Sequence, residues 1–227
     1  LKCIGIPKTV DNDLPYTDCS PGFGSVAKYI ATSTLEAGLD VKSMAETSTK
    51  VFILEVMGRH AGWIAAASCL AATKAGDPPH IILLPEVPFE KTKFITQVKQ
   101  TVKEQGYCVI VASEGTQTKN GKFLADSGLT DAFGHKQLGG VAPVLAGMIS
   151  KIGLKNHWAV ADYLQRSARH IASKTDLDQA YAVGEHAVKL AIAGKTALMP
   201  IIKRTSDSPY KWKIATAPLK NVANIEK

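Results

Sequence analysis

The sequence predicts an α/β fold with doubly wound, mostly parallel sheets and helices on both faces. Two observations lead to this prediction. Short apolar runs rich in β-branched residues alternate with segments of helical periodicity along most of the chain. Polar and glycine-containing clusters follow these runs, and in such folds ligands bind at the carboxyl ends of the strands.

The predicted elements follow one another along the chain. An apolar segment from Cys3 to Ile6 reads as a short strand, and a helix starts near Gly22. Later strands are predicted at 51–56, 80–87, 107–115, 157–166 and 197–204, and helices at 61–76, 91–104, 140–152 and 176–193. A polar loop is expected from Gly115 to about His135.

The composition is that of a globular protein, with 45% hydrophobic and 21% charged residues among 227. No apolar run approaches the roughly 20 residues that span a bilayer, and the first residues do not form a signal peptide. The four cysteines contain no C-x-x-C pair. We therefore expect reduced thiols and a cytoplasmic protein without a membrane partner.

The net charge of +7 raises the possibility of a nucleic-acid partner. Residues 203–227 hold six basic and two acidic residues, so that this segment accounts for +4 of the total. The rest of the excess is spread over the chain without a basic run. We predict no nucleic-acid binding, because an anionic small substrate explains a modest excess equally well.

Two short motifs resemble nucleotide-binding signatures without their context. Gly194 to Thr196 reads "GKT", but a phosphate loop needs glycine where Lys189 stands, and a strand where a helix is predicted. Gly22 to Ala27 reads "GFGSVA", but no strand leads into it. We interpret this segment as a helix start whose N–H groups and dipole face the site.

Four polar clusters lie at the predicted strand ends. They read "PKTVDND" from Pro7, "MGRHAGW" from Met57, "SEGTQ" from Ser113 and "QR" from Gln165. Turn chemistry and a helix cap explain any one of them, and the acids of the first cluster have a plain alternative role as caps of the helix after Pro21. The four together favour a binding site.

These segments, with "GFGSVAKY", resemble the phosphofructokinase family in order and approximate spacing from about Cys3 to Arg204. The resemblance implies a two-domain arrangement. We expect a remainder of the donor-binding domain at 1–22 with 165–204, a sugar-phosphate domain at 23–164 and a basic tail at 205–227. The family's glycine-rich, magnesium-binding turns precede "PKTVDND" and are missing here, so the arrangement looks incomplete and truncated at its N-terminus.

The resemblance implies roles for the first cluster. Asp11 would be the base that accepts the proton of the primary hydroxyl of fructose 6-phosphate, which suits a carboxylate. Thr9 and Val10 would hold the same end of the sugar, and Asp13 would keep Asp11 ionised and oriented. ATP-using relatives usually have glycine where Lys8 stands. Lys8 therefore points to the pyrophosphate-dependent branch and would supply a cation to the donor.

The same resemblance implies a sugar-phosphate pocket. Its expected residues are Met57, Gly58, Arg59, Glu114, Tyr163 and Arg166. Arg166 would bind the 6-phosphate, and Glu114 would form hydrogen bonds to the sugar hydroxyls. Lys50 and His157 occupy positions where relatives have arginines that reach a neighbouring subunit's site. Neither lysine nor histidine has the planar, bidentate guanidinium group of arginine, so we expect the contacts to the neighbouring subunit's site to differ here.

The expected activity is magnesium-dependent phosphoryl transfer from pyrophosphate to fructose 6-phosphate, in a homodimer or larger assembly with a shared active site. No residue of this chain is assigned as a magnesium ligand. Two alternatives stay open. One is an ATP-dependent phosphofructokinase, and the other is a non-catalytic regulatory subunit that binds sugar phosphate. The presence of Asp11 argues against the second, because such a subunit has no chemical need for the base.

Overall fold

The computed structural model describes residues 2–130, 136–138, 140–225 and 227. Strands in these ranges are β1 (Val51–Val56), β2 (Ile81–Leu83), β3 (Cys108–Ser113), β4 (Asp126–Thr130), β5 (Lys136–Leu138), β6 (Asn156–Val160), β7 (Leu198–Asp207) and β8 (Tyr210–Pro218). The α-helices are α1 (Phe23–Met44), α2 (Trp63–Ala67), α3 (Lys91–Gln105), α4 (Val141–Ser150), α5 (Asp162–Ser167) and α6 (Lys174–Ile192). None of the described helices is long and apolar enough to cross a membrane.

Two compact units divide the chain. The terminal unit comprises Leu1–Lys28 and Ala168–Lys227, and the central unit comprises Tyr29–Ser167. The division predicted from the sequence was set at 22/23 and 164/165. The donor and sugar-phosphate roles assigned to the two parts stay predictions.

The central unit is built on a four-stranded parallel sheet in the order β2-β3-β1-β6. β3 is buried along its whole length, as the continuous apolar run predicts for an inner strand. Side chains of α3 and α4, among them Phe94, Leu145 and Ile149, pack with Ile53 and Ile110 in the main core. In the register Val56 pairs with Ser113, so the segments after β1 and β3 start side by side.

The predicted helix from 61 to 76 is shorter in the structure. α2 ends at Ala67 and continues as a 3-10 helix only to Ala71. Asp77 Oδ2 accepts hydrogen bonds from the backbone nitrogens of Thr73 and Lys74, both at 3.1 Å, and from the Thr73 hydroxyl at 2.7 Å. This side chain stabilises a turn in competition with the helix.

The predicted strand 157–166 is also corrected, because "HWAVADYLQR" forms two elements. β6 ends at Val160, where Ala161 N still donates to Glu55 O at 2.9 Å. Asp162 then adopts a φ of +37° and begins α5. The carboxyl end of the strand therefore passes directly into the helix that carries Tyr163 and Arg166.

The polar loop expected up to His135 contains part of a hairpin. β4 and β5 pair antiparallel, with an irregular register between Asp126 and Leu129. Residues 131–135 of the expected loop lie outside the described residues.

The terminal unit contains the antiparallel hairpin of β7 and β8. Residues 205–227 are therefore not a plain basic tail, and that prediction is corrected. Along β8 the exposed residues Lys211 and Lys213 alternate with the partly buried Trp212 and Ile214. This alternation of exposed and partly buried residues is the pattern of a half-buried strand, and a net charge alone does not reveal it.

The predicted strand from Cys3 to Ile6 is reduced to one parallel bridge between Ile4 and Leu198. Gly5 N donates to Leu198 O at 2.9 Å, while Cys3 and Ile6 are exposed. The segment still runs beside β7 and leads into the "PKTVDND" cluster. In this way β7 sets the starting position of that cluster.

Candidate active site

The predicted site residues fall into two groups, one in each unit. Lys8, Thr9, Val10, Asp11 and Asp13 lie in the terminal unit. The central unit contains the remaining predicted residues, which are Lys50, Met57, Gly58, Arg59, Glu114, Tyr163 and Arg166. Each group is described within its own unit.

The loop from Lys8 to Asp13 is held by its own polar groups. Asp11 N donates to the Thr9 hydroxyl at 3.1 Å. Asn12 is buried, has a φ of +59°, and accepts a hydrogen bond from Ser20 N at 2.9 Å. Lys8 is exposed, and Asp11 and Asp13 are partly buried. The loop thus places two carboxylates and an ammonium group within six residues of one another.

Asp11 and Asp13 could alternatively cap the start of α1, but the amides of Gly22 and Ser25 there are bonded to Asp176 instead. Asp176 Oδ1 accepts Gly22 N at 2.7 Å, and Asp176 Oδ2 accepts Ser25 N at 3.1 Å and the Ser25 hydroxyl at 2.5 Å. Asp176 belongs to α6 and is buried. For these amides the cap therefore comes from a carboxylate that lies 151 and 154 residues further along the chain.

The same bonds correct the interpretation of "GFGSVA". The first amides of α1 were expected to face a ligand. Those of Gly22 and Ser25 instead bond the carboxylate of Asp176. A carboxylate at this position neutralises the positive end of the helix dipole, so these amides do not form an anion site.

Asp18, which follows Asp11 and Asp13 along the chain, has a structural role. Its Oδ1 accepts Arg204 Nε at 2.9 Å, and its Oδ2 accepts the Tyr210 hydroxyl at 2.9 Å. Burial, together with the neighbouring Asp18 carboxylate, raises the pKa of Tyr210, although a hydrogen bond to Gln179 opposes the shift. Asp18 thereby ties the segment to the β7–β8 hairpin.

In the central unit, the backbone of Met57, Gly58 and Arg59 is held at the carboxyl ends of β1 and β3. Gly58 N lies 3.4 Å from Glu114 Oε1, and Gly58 O accepts a hydrogen bond from the Ser113 hydroxyl. Gly58 has a φ of +121°, and a Cβ there would overlap Ala61 O. Only glycine fits this conformation without strain.

Gly115 explains how closely the two strand ends approach each other. A Cβ at Gly115 would overlap the carbonyl oxygens of Gly58 and Arg59. Ser113 Oγ accepts Gly115 N at 3.1 Å, and Glu114 N donates to Val56 O at 2.9 Å. The "MGR" and "SEG" segments therefore form one backbone-lined wall. The sequence predicted that these two clusters lie at neighbouring strand ends.

Arg59 carries a polar atom that the fold leaves without a partner. Its Nε is buried and makes no hydrogen bond to the described residues. Buried side-chain nitrogens are almost always bonded, and an exception points to a partner that is not part of the chain, such as a ligand or water. A phosphate oxygen is a suitable acceptor for this nitrogen.

Tyr163 and Arg166 lie together on α5. The guanidinium carbon of Arg166 is 4.2 Å from the centre of the Tyr163 ring, a cation–π contact that orients the arginine. Gln165, on the same helix, is buried and contacts the "MGR" segment. Its Oε1 lies 3.3 Å from Met57 N, and its Nε2 donates to Asp162 O at 2.9 Å.

Lys50 and His157 were predicted to act towards a neighbouring subunit. Lys50 Nζ donates to Ala45 O, at the end of α1 in the same chain. His157 is exposed on β6, an edge strand of the sheet. Their roles towards another subunit stay predictions.

A protein-only magnesium site is not formed by the part of the chain that the structure describes. No group of three or more His, Cys, Asp and Glu side chains is arranged there to hold a metal ion. Magnesium uses few protein ligands when substrate phosphates supply the others, but Asp11 and Asp13 alone do not define such a site.

Comparison with known proteins decides the family. The sequence profile described as "Phosphofructokinase" matches residues 1–191. The chain belongs to the phosphofructokinase family. This confirms the resemblance on which the site residues were predicted, and the parallel sheet with its helices agrees with the fold of the family.

Several proteins named as phosphofructokinases or phosphotransferases match this chain along its whole length. A pyrophosphate–fructose 6-phosphate 1-phosphotransferase from Halomonas elongata is 68% identical, and one from Methylococcus capsulatus is 59% identical; each match covers 100% of this chain and 54% of the relative. A crystal structure of pyrophosphate-dependent phosphofructokinase from Marinobacter aquaeolei is 62% identical with a TM-score of 0.88, again over 100% of this chain and 54% of the other. The chain therefore spans about half the length of these relatives.

Proposed function

We propose that the full-length protein transfers a phosphoryl group from pyrophosphate to the primary hydroxyl of fructose 6-phosphate. One observation carries the choice of donor. The relative that is 68% identical over this whole chain bears the name of that reaction. Lys8 supports it on chemical grounds, because a small donor without a nucleoside needs charge placed directly against its phosphates.

Asp11 is the proposed base. The hydroxyl oxygen of the sugar attacks the transferring phosphorus while its proton passes to an Asp11 carboxylate oxygen. The bond between the bridging oxygen and that phosphorus breaks, and inorganic phosphate leaves. This role is supported by the position of Asp11 on the same loop as Lys8, where its backbone nitrogen is bonded to the Thr9 hydroxyl.

Lys8 is the proposed cation at the donor. It lies three residues before Asp11 on the same loop and is exposed. Pro7, which precedes it, is buried and restricts the backbone at that point. An ammonium group there would stabilise the charge that develops on the transferring and leaving phosphates.

Arg59 and Arg166 are proposed to bind the 6-phosphate of the sugar, and Glu114 its hydroxyls. The unpartnered Arg59 Nε and the orientation of Arg166 by Tyr163 support this assignment. Thr9, Val10 and Asp13 would complete the acceptor side. The backbone of Met57 and Gly58 would form the wall against which the sugar lies.

We also propose magnesium as a cofactor that arrives with pyrophosphate, a cytoplasmic location, and a homodimer or larger assembly. The substrate phosphates would supply most of the ligands of this metal, since the described residues contain no cluster of three metal-ligating side chains. The exposed His157 on an edge strand is consistent with a neighbouring subunit.

The test is product analysis with the full-length protein. Incubation with magnesium, pyrophosphate and fructose 6-phosphate should yield fructose 1,6-bisphosphate and inorganic phosphate in equal amounts, which ³¹P NMR follows directly. Turnover with ATP in place of pyrophosphate would favour the ATP-dependent alternative. Binding of fructose 6-phosphate without turnover by either donor would favour the regulatory subunit.

A further inference from the structure

Asn12, the central residue of the "DND" segment, differs from both of its neighbours. Its side chain is 3% exposed, whereas Asp11 and Asp13 are only partly buried. Its backbone is in the left-handed region, with a φ of +59°. Among residues with a side chain, asparagine and aspartate tolerate this region best.

The buried side-chain amide of Asn12 forms a hydrogen bond to the backbone. Its Oδ1 accepts a hydrogen bond from the backbone nitrogen of Ser20 at 2.9 Å. A buried acceptor bonded to a buried donor is costly to remove, because the remaining partner loses its bond without regaining water. Asn12 therefore anchors the loop at one defined point.

The anchor point is itself fixed. Ser20 O accepts Phe23 N at 3.1 Å, at the beginning of α1. The amides of Gly22, just before α1, and of Ser25 in its first turn are bonded to Asp176. Through Ser20, Asn12 joins the loop to a helix start that α6 holds in place.

Val10 also lies close to the start of α1. Its Cγ1 is 3.1 Å from the position that a Cβ on Gly22 would occupy. Val10 and Asn12, on either side of Asp11, thus both lie beside the start of α1. The backbone nitrogen of Asp11 is in turn bonded to the Thr9 hydroxyl.

We propose that Asn12 is a positioning residue, which fixes Asp11 in the orientation needed for proton transfer by anchoring the loop to Ser20. The inference rests on the proposed role of Asp11. Two properties of the side chain are required together: tolerance of a positive φ and an acceptor that reaches Ser20 N. Glycine retains only the first, whereas aspartate retains both and adds a negative charge beside the base.

The experiment uses the full-length protein and measures kcat and KM for fructose 6-phosphate with saturating pyrophosphate. Asn12→Gly should lower kcat about 10- to 100-fold, since small misplacements of a reacting group have effects of this size, while the Kd for fructose 6-phosphate changes less than about 2-fold. Asn12→Asp should recover part of kcat. Its acid limb in the pH profile of kcat should move to higher pH, because a second carboxylate raises the pKa of the first.

Asn224→Gly is the matched control, because Asn224 is exposed and has the same φ of +59°. It should leave kcat unchanged. An Asn12→Gly protein that loses thermal stability but keeps kcat would overturn the inference and leave Asn12 a structural residue. If that variant does not fold, Asn12→Asp decides: an unshifted acid limb contradicts the proposal.

Two variants together distinguish an error in the role of Asp11 from an error in the role of Asn12. Asp11→Asn with normal turnover would refute the role of Asp11 itself. Asp11→Asn without turnover, combined with normal kcat in Asn12→Gly, would refute only the positioning role of Asn12.

Discussion

The carboxylate of Asp176 in α6 accepts a hydrogen bond from the backbone N–H of Gly22 at 2.7 Å, which joins α6 to the residue that precedes α1. Three donors at the start of α1 depend on this one buried side chain. Asp176→Ala should therefore lower the free energy of unfolding by about 1–3 kcal/mol, the cost of leaving buried donors unsatisfied. Urea denaturation followed by circular dichroism measures the change.

Asp178→Ala is the control for this variant. Asp178 is half exposed and pairs with Lys174 one helical turn earlier. Its removal should cost less than about 0.5 kcal/mol, as for other exposed pairs. Equal losses from both variants would show that the cap contributes nothing beyond surface charge.

Removal of the proposed base should abolish catalysis and spare binding. Asp11→Asn is expected to reduce kcat by about 10²–10⁴-fold, the usual contribution of a general base, with a similar Kd for fructose 6-phosphate. Steady-state kinetics and isothermal titration of the full-length variant give the two numbers. Asp207→Asn, at an 83% exposed carboxylate, should behave as the unmodified protein. Near-normal kcat in Asp11→Asn would remove Asp11 from the mechanism.

The two arginines of the central unit should govern affinity for the sugar phosphate. Arg59→Ala or Arg166→Ala is expected to raise KM for fructose 6-phosphate by about 10- to 100-fold, because charge-assisted hydrogen bonds contribute about 1.5–3 kcal/mol. Lys99→Ala, on the exposed face of α3, serves as the charge-matched control. Unchanged affinity in both arginine variants would place the pocket elsewhere.

Stability should depend on pH through Glu55, which is 5% exposed in β1. Burial raises the pKa of this carboxyl, although the amides of Ala142 and Val141 partly offset the shift; Ala142 N lies 2.7 Å from its Oε2. Since the folded pKa is above the unfolded one, the contribution of Glu55 is fully present below about pH 4.5 and is lost as the pH rises through the folded pKa.

Glu55→Gln tests this dependence, because the amide oxygen of glutamine can still accept Ala142 N without titrating. The difference in unfolding free energy between the unmodified protein and Glu55→Gln should fall as the pH rises above about 4.5. Chemical denaturation at several pH values measures it. A difference that stays constant or increases with pH would contradict the raised pKa.

Much of the fold could be predicted because local pattern and tertiary position agree. The runs at Val51–Val56 and Cys108–Ser113 are inner strands of a parallel sheet, which need no alternation. The hairpin strand β8 was not predicted, because its lysines alternate with partly buried residues in a segment that was judged by net charge. α5 was not separated from β6 because Asp162 makes the turn without glycine or proline.

The parts of the site that were not predicted depend on contacts distant in sequence. "SKTD" from Ser173 to Asp176 has the form of a capping box, which indicates the start of α6. Nothing in that pattern indicates that the Asp176 carboxylate caps α1 instead. Gln165 likewise bonds Met57 across 108 residues. The position of Asn12 between two acids offered a local signal, since asparagine favours positive φ.

The choice of pyrophosphate as donor is tested most directly at Lys8. The measurement is steady-state turnover of the full-length protein and its Lys8→Gly variant, with pyrophosphate and with ATP, at saturating fructose 6-phosphate. Lys8→Gly should lower pyrophosphate-dependent turnover by about 10²–10³-fold, as for loss of one electrostatic contact to the transition state. ATP activity need not appear, because other donor residues also shape that site. Unchanged pyrophosphate kinetics in Lys8→Gly would contradict the assignment of the donor.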